Sequence, residues 1–252
     1  MGIKARSRGG IRGYLKFLVI VPARGGSKRL QGKNHMQLGG RPLIEYTIDA
    51  ARKSRYCKNF DLVCSTDDKE IARIAWVNDC LVPFLRPPKL ASDKANSMDV
   101  VLHALSYMES ETKKKYDYVI LLQPTSPLRT WRHLDEAITK ALRHRCDSVV
   151  SVVQLHHLFY NLRYLKRDGS LGDMVLRKEG LKTRKGSKIF AINGAIYITR
   201  RDVIVEQKDF YGRRSLPYSM DKKTSIDIDT LEDFRSAEFL MQQKNNSRTK
   251  VA

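Results

Sequence analysis

The chain has 252 residues, of which 42% are hydrophobic, and its 47 lysines and arginines against 27 acidic residues give a net charge of +20. This length suits one large α/β domain, and no apolar run reaches the roughly 20 residues that a membrane-spanning helix needs. The first residues lack the apolar segment of a secretory signal, and four cysteines without a CxxC motif predict reduced thiols rather than a disulfide framework.

Strand and helix patterns alternate along the chain after a basic, glycine-bearing arm at residues 1–15. They predict strand 17–21, helix 42–54, strand 60–64, helix 68–77, strand 82–85, helix 97–108, strand 118–122, helix 131–144 and strand 148–153. The alternation breaks over 155–189. It then resumes with strand 193–199, helix 201–206, strand 215–220 and helix 230–243, before a polar tail at 244–252. Thr66 and Asp67 are predicted to cap helix 68–77, and Ser97 is a candidate cap for the helix that it begins.

This alternation predicts an α/β fold with a mostly parallel, Rossmann-like sheet flanked by helices. Ligands of such sheets bind beyond the carboxyl ends of the strands. Three polar loops fall at those ends, after the strands that finish near Val21, Leu85 and Leu122. The sequence therefore predicts one shared site there.

The loop after the first strand, PARGGSKRLQGKN at 22–34, combines glycines with four cations and no carboxylate. Glycines let the backbone approach a bulky anion, and the cations supply uncompensated charge. We call this segment the phosphate loop, because the pattern is typical of polyphosphate binding. It matches neither GxxxxGK[ST] nor GxGxxG, and a solvated basic loop is the alternative interpretation. Elsewhere the basic residues are spread out, which favours anionic small substrates over nucleic acid.

Several further segments follow in one order: LIEYTIDAA, STDDKEIA, FLRPPKLASD, LLQPTSPLRT, NGAIYI and SIDIDTLEDF. With these motifs the chain resembles the CMP-sialic acid synthetases (acylneuraminate cytidylyltransferases) from about Phe17 to Leu240. The resemblance implies a nucleotide-diphospho-sugar transferase fold and transfer of CMP from CTP to an acidic nine-carbon sugar. It implies that Arg24, Lys33 and Lys28 act on the phosphates, and that Ala23 and Asn34 contact the nucleotide.

A second set of positions carries the metal, base and sugar roles that the resemblance implies. Asp227 and Asp229 alternate on an extended segment and are candidates for Mg²⁺ (or Mn²⁺), and the alternative is that Asp229 or Thr230 caps the last helix. Further candidates are Arg86 and Ser97 for the base, and Gln123, Tyr197, Phe210 and Tyr211 for the sugar.

Two departures from the family pattern bear on specificity. Lys94 stands where the family commonly has threonine, which leaves the base preference open. Ala191 and Ile192 replace an Arg-Pro pair that many N-acetylneuraminate enzymes carry, and this change favours a related acid such as legionaminic acid. The alternatives are activation of the eight-carbon acid Kdo and a non-catalytic nucleotide-binding protein.

The irregular excursion at 155–189 carries exposed apolar clusters and predicts a homodimer. In the resembled family this region pairs with a second subunit. His156 and His157 lie in it, and Asp67 and Asp68 precede a helix; these four are weaker acid–base candidates. The expected location is cytoplasmic, or nuclear if the chain is eukaryotic, with residues 16–243 as the cytidylyltransferase domain. Neither membrane nor nucleic-acid binding is expected.

Overall fold

The computed structural model of this chain describes residues 15–27, 29–155, 163–167, 169–173 and 188–249. The described strands are β1 (Phe17–Pro22), β2 (Gln37–Leu38), β3 (Arg41–Pro42), β4 (Phe60–Ser65), β5 (Tyr118–Leu121), β6 (Ser148–Leu155), β7 (Arg163–Leu165), β8 (Leu171–Asp173), β9 (Ile189–Arg200) and β10 (Ser215–Met220). The α-helices are α1 (Leu43–Arg52), α2 (Lys69–Val77), α3 (Pro88–Ala91), α4 (Ser97–Thr112), α5 (Trp131–His144) and α6 (Leu231–Thr249).

Six strands form the main sheet in the order β10-β6-β9-β5-β1-β4. Every neighbouring pair is parallel except the two pairs that β9 makes, with β5 and with β6. The carboxyl ends of β1, β4, β5, β6 and β10 therefore share one edge. The predicted α/β class with a mostly parallel sheet flanked by helices is confirmed.

Strand β1, between β5 and β4 in the sheet, separates two cores, because its side chains alternate between the faces of the sheet. Phe17, Val19 and Val21 pack in a cluster with apolar residues of α1, α2 and α5. Leu18 and Ile20 pack on the other face, against α4. All five are at most 1% exposed, and complete burial of such a side chain contributes about 1.5–3 kcal/mol each.

The helix bounds follow from capping. Helix α5 begins after Thr130, whose hydroxyl accepts from the backbone of His133 while the His133 ring accepts from Thr130 N. Two predicted caps are wrong. The Asp68 carboxylate, not Thr66 or Asp67, caps α2, and the Asn96 side chain, not Ser97, caps α4. In both cases the capping residue immediately precedes the helix, in the extended conformation that this role requires.

Other predicted elements differ in detail. In place of the predicted strand 82–85 there are only isolated bridges, from Leu81 to Val63 in β4 and from Leu85 to Thr66 just after β4, because Pro83 cannot donate to a ladder. The predicted helix 201–206 is a π-helical turn at Val203–Gln207. Helix α6 continues to Thr249, past its predicted end at 243. None of the helices in the described part of the chain is long and apolar enough to cross a membrane.

Candidate active site

A cleft of about 360 Å³ opens where β1, β4 and β5 end. Because these strands are parallel, the loops that follow them converge on this edge. Eight of the residues proposed from sequence line the cleft: Arg24, Lys33, Asn34, Arg86, Ser97, Gln123, Asp227 and Asp229. Residues as far apart in sequence as Arg24 and Asp229 thus share one site.

The phosphate loop is shaped by a 3₁₀ turn at Lys33–His35. Gly32 precedes it with φ +64°, where a side chain would be strained, and an added Cβ would lie 2.6 Å from His35 Nε2. The turn directs Lys33 Nζ to Ile228 O at 2.9 Å and to Asp229 Oδ1 at 3.0 Å. Lys28 lies outside the described residues.

Arg24 and Arg29, the two other described cations of the phosphate loop, are also paired with carboxylates. Arg24 Nη1 lies 2.9 Å from Asp93 Oδ1 in the loop between α3 and α4, and Arg29 Nη1 lies 2.9 Å from Asp229 Oδ2. These ion pairs join the phosphate loop to two other walls of the cleft. A polyphosphate that binds Arg24 therefore has to replace a carboxylate.

Asn34 is buried, yet its side chain is only partly satisfied. Its Nδ2 donates to Arg24 O at 2.9 Å, whereas its Oδ1 has no hydrogen-bond partner among the described residues. A buried acceptor on a cleft wall without a partner is suited to receive a ligand hydroxyl or amine. Ala23 is also fully buried. Its backbone N already donates to Ser65 O at 3.0 Å, so the amide of Ala23 is occupied by the sheet.

The wall after β4 holds a buried arginine. Arg86 Nε donates to Ser65 Oγ at 3.1 Å, and Nη2 donates to Ser65 O. Burial lowers the pKa of this guanidinium, while the nearby Asp67 carboxylate raises it. Asp67 also accepts from Gly25 N at 3.0 Å and so connects this wall to the phosphate loop.

Ser97 lies in the first turn of α4 with its side chain exposed in the cleft. Since Asn96 is the cap of that helix, the Ser97 hydroxyl is not used for capping. Lys94 is exposed, two residues before Asn96 and next to the cleft-lining Asp93 and Ala95. Lys94, which stands where the family commonly has threonine, therefore lies beside the cleft rather than in the core.

The proposed sugar residues fall into two groups. The Gln123 side chain lines the cleft, and its Oε1 lies 2.6 Å from the position of a Cβ added to Gly194. Tyr197 packs on Phe210 with ring centroids 5.3 Å apart, while Tyr211 is 38% exposed. Burial raises the pKa of Tyr197 to about 12, with Tyr211 and Asp227 adding to the effect. None of these three aromatic residues lines the cleft, in contrast to Gln123.

Asp227 and Asp229 form the acidic side of the cleft, separated by the fully buried Ile228. Burial raises the pKa of Asp227, and the charge of Asp229 raises it further. A hydrogen bond with the Thr125 hydroxyl lowers the pKa in part. Helix α6 is capped by a different pair. Thr230 Oγ1 accepts from Asp233 N at 3.3 Å, and Asp233 Oδ2 accepts from Asp229 N and Thr230 N. The capping alternative is therefore confirmed for Thr230 and wrong for the Asp229 carboxylate, and both carboxylates line the cleft.

These two carboxylates suit Mg²⁺, which is commonly bound by one or two carboxylates together with phosphate oxygens. The described residues contain no group of three histidine, cysteine, aspartate or glutamate side chains placed to hold an ion by themselves. A metal would therefore share the Asp227 and Asp229 oxygens with a ligand. His156 and His157 lie outside the described residues, and Asp68 is engaged as the cap of α2.

Sequence patterns did not identify a buried polar network behind Gly194. Strand β9 bulges here, because Val150 pairs with Tyr197 but Val152 pairs with Ile192. Asn193 Oδ1 accepts from Ser151 Oγ at 2.6 Å, and Asn193 Nδ2 donates to Ser225 Oγ at 2.9 Å. The network thus fixes the bulge relative to the turn at 222–225 that leads to Asp227. The NG dipeptide within a strand was the one available signal.

Comparison with known proteins agrees with this geometry. A family model described as cytidylyltransferase matches residues 18–249. The CMP-N,N′-diacetyllegionaminic acid synthase of Legionella pneumophila is 38% identical over 234 residues, which are 90% of this chain and 97% of that protein. The N-acylneuraminate cytidylyltransferase of Escherichia coli is 36% identical over 239 residues, which are 92% of this chain and 54% of that protein. The chain thus spans about half the length of several curated relatives that it matches.

Among solved structures, the chain is similar to a CMP:2-keto-3-deoxy-manno-octonic acid synthetase complexed with CTP, with a TM-score of 0.66 and 16% identity over 91% of this chain and 99% of that one. At this identity the likeness concerns the fold. The family model covers both the phosphate loop and the Asp227–Asp229 segment, and two relatives exceed 30% identity over most of this chain. The chain belongs to the cytidylyltransferase family.

Proposed function

We propose that this chain transfers CMP from CTP to the anomeric hydroxyl of a nonulosonic acid and releases pyrophosphate. One observation carries the proposal: the cations Arg24 and Lys33, the amide of Gln123 and the carboxylate of Asp227 line the same cleft. Relatives named for N-acylneuraminate and diacetyllegionaminate at 36–38% identity support this substrate class.

In this proposal the cleft binds CTP along its basic side. Arg24 and Lys33 bind the triphosphate and stabilise the charge that develops on pyrophosphate as it leaves. The free Oδ1 of Asn34 accepts a hydrogen bond from the nucleotide. Arg86, immobilised on Ser65, donates to an oxygen of the base, with the Ser97 hydroxyl nearby. Ala23 contributes to the nucleotide wall through the position of its backbone only.

The acid sugar binds on the opposite side, against Gln123, Tyr197 and the aromatic pair Phe210–Tyr211. Its anomeric oxygen forms a bond to the α-phosphorus while the bond to the pyrophosphate oxygen breaks, and the hydroxyl proton passes to solvent. Such transfer depends on positioning and electrostatics more than on a general base. Asp227 and Asp229 would hold Mg²⁺, or Mn²⁺, which neutralises phosphate charge when it is bound. We place this reaction in the cytoplasm.

The acceptor in this proposal is N-acetylneuraminate or a relative such as legionaminate. The Ala191–Ile192 pair favours the relative, because β9, which also carries Tyr197, has no arginine at the position of the family's Arg-Pro pair. Kdo activation is a second candidate only through the shared fold. A non-catalytic nucleotide-binding protein would not need the acidic pair, which keeps both carboxylates facing the cleft.

We also propose a homodimer. Most of the segment 155–189 lies outside the described residues, but apolar side chains at its borders are exposed: Leu155 by 37%, Leu165 by 72%, Phe190 by 37% and Ile192 by 47%. Phe190 and Ile192 share one face of β9, where an interface would bury them. The variant Phe190→Asp/Ile192→Asp should be monomeric in light scattering. A monomeric wild-type protein would contradict the dimer.

The test of function is pyrophosphate release with CTP, Mg²⁺ and a panel of acids: N-acetylneuraminate, diacetyllegionaminate, pseudaminate and Kdo. Arg24→Ala should lower the rate about 10²–10³-fold with the fold intact, since it removes one fixed charge from the phosphate site. Arg132→Ala is the matched control, because that arginine is exposed on α5 outside the cleft. Release with Kdo alone would refute the nonulosonate assignment. CTP binding without release for any acid would favour the non-catalytic protein.

A further inference from the structure

A guanidinium is buried in the core directly behind the cleft. The Arg129 side chain is 2% exposed, and no acidic side chain in the described part of the chain forms an ion pair with it. Burial alone lowers the pKa of this group to about 9. A buried charge without a counter-ion is among the most unfavourable arrangements in a protein core. Folds retain such groups mainly at functional sites.

The hydrogen bonds of Arg129 connect three elements. Its Nη1 donates to Gln123 O at 3.0 Å and to Ala195 O at 2.9 Å, and its Nη2 donates to Thr47 Oγ1 on α1. Its Nε has no partner among the described residues. The guanidinium is planar and presents its donors in a rigid fork. One nitrogen therefore fixes two carbonyls, that of Gln123 just after β5 and that of Ala195 within β9.

Those two carbonyls lie immediately behind the proposed sugar side of the cleft. Gln123 directs its amide into the cleft, and Ala195 follows Gly194, whose backbone is close enough that an added Cβ would be 2.6 Å from Gln123 Oε1. Gly194 also approaches the acidic side, with Asp227 Oδ2 3.6 Å from the same position. A shift between the ends of β5 and β9 would move all of these groups relative to one another.

We propose that Arg129 is a positioning residue for the acceptor: its guanidinium, held between the carbonyls of Gln123 and Ala195, sets the spacing between the Gln123 amide and the Gly194 backbone. The inference rests on the function proposed above, and it adds a residue that does not line the cleft. Arg129 acts through Gln123 rather than on the substrate itself. Its loss should therefore affect the acid sugar and leave CTP binding largely unchanged.

The test compares Arg129→Met and Arg129→Gln with Arg132→Met, an equal charge change on the exposed arginine of α5. For both Arg129 variants we expect kcat/KM for the acid to fall about 10²-fold, the loss typical of a misplaced reacting group, while KM for CTP stays within about twofold. The Tm of Arg129→Met should change little, because removal of the unfavourably buried charge offsets the hydrogen bonds that the two carbonyls lose.

A turnover-free readout separates this inference from the proposed function. The acid is titrated calorimetrically into protein saturated with a non-hydrolysable CTP analogue. If wild-type protein neither turns over nor binds any acid, the proposed function fails. If wild-type binds the acid and the folded Arg129 variants bind and turn it over equally well, the inference is wrong. It is also wrong if both variants fail to fold, or if KM for CTP rises as much as KM for the acid.

Discussion

Replacing Asp93 with asparagine should improve CTP binding. The Asp93 carboxylate lies 2.9 Å from the Arg24 guanidinium, and the two side chains are 39% and 33% exposed. Triphosphate has to displace this carboxylate in order to reach Arg24. Asparagine keeps the shape of the side chain and removes the competing charge.

The size of the effect follows from the exposure of the pair. Ion pairs that are open to solvent contribute about 0.2–1 kcal/mol, because water screens them. Release of that amount corresponds to a decrease of roughly 1.4- to 5-fold in KM for CTP. The kcat should change little, since Arg24 binds the phosphates in both proteins once CTP is bound.

The change in KM for CTP would be measured from initial rates of pyrophosphate release at a saturating concentration of the acid sugar, at low and at high salt. The gain should shrink as salt rises, because screening weakens the pair. Asp99→Asn, at an exposed position on α4, is the charge-matched control. In an Arg24→Met background the Asp93→Asn effect should be smaller, because the Arg24–Asp93 pair no longer contributes to it. A raised KM for CTP in Asp93→Asn would refute the reasoning and show that Asp93 organises the nucleotide site instead.

Three further predictions follow from the same geometry. Asp227→Asn and Asp229→Asn should each raise the Mg²⁺ concentration needed for half-maximal rate with Tm nearly unchanged; a lower Tm with unaltered metal dependence would exclude a metal role. Gly194→Ala should destabilise the fold by about 1–2 kcal/mol, because the residue has positive φ, and should raise KM for the acid but not for CTP. Hydrogen bonds from Arg201 are the main cause that lowers the pKa of Glu109. The stability that this pair gives the fold is therefore fully present above pH 4.5, and it is lost as pH falls through the pKa of Glu109 in the folded protein. Glu109→Gln should therefore cost about 2 kcal/mol in urea unfolding at pH 7 and much less at pH 3, and an equal loss at both would contradict the ion pair.

Local pattern predicted the regular elements well where burial and capping agree. The apolar run 17–21 became β1 because both faces of that strand are covered. Helix α5 matched its predicted bounds because its apolar spacing and the cap at Thr130 agree. The pattern was misleading where one residue overrides it: Pro83 interrupts a strand-like segment, and the segment after Arg201 relaxes into a π-helical turn.

The residues of the cleft were largely predictable, but their pairing was not. Glycines, cations and alternating carboxylates mark segments that can bind phosphate or metal. Their partners depend on tertiary packing. Arg29 contacts Asp229 200 positions away, and Gly25 N donates to Asp67 across 42 positions. Nothing local in the sequence separates Arg129, with its fully enclosed guanidinium, from the exposed Arg132.

The direction of β9 has a consequence for how such a chain can diversify. Because β9 runs against its neighbours, β6 ends and β9 begins at the cleft edge, and their terminal residues Leu155 and Ile189 are paired directly. Any segment that joins β6 to β9 therefore starts and ends at this one residue pair, whose spacing is fixed by the sheet. Doubling its length would add only about 0.6 kcal/mol of closure entropy. Segments of different length or sequence can therefore be exchanged beside the cleft while both hydrophobic cores stay intact.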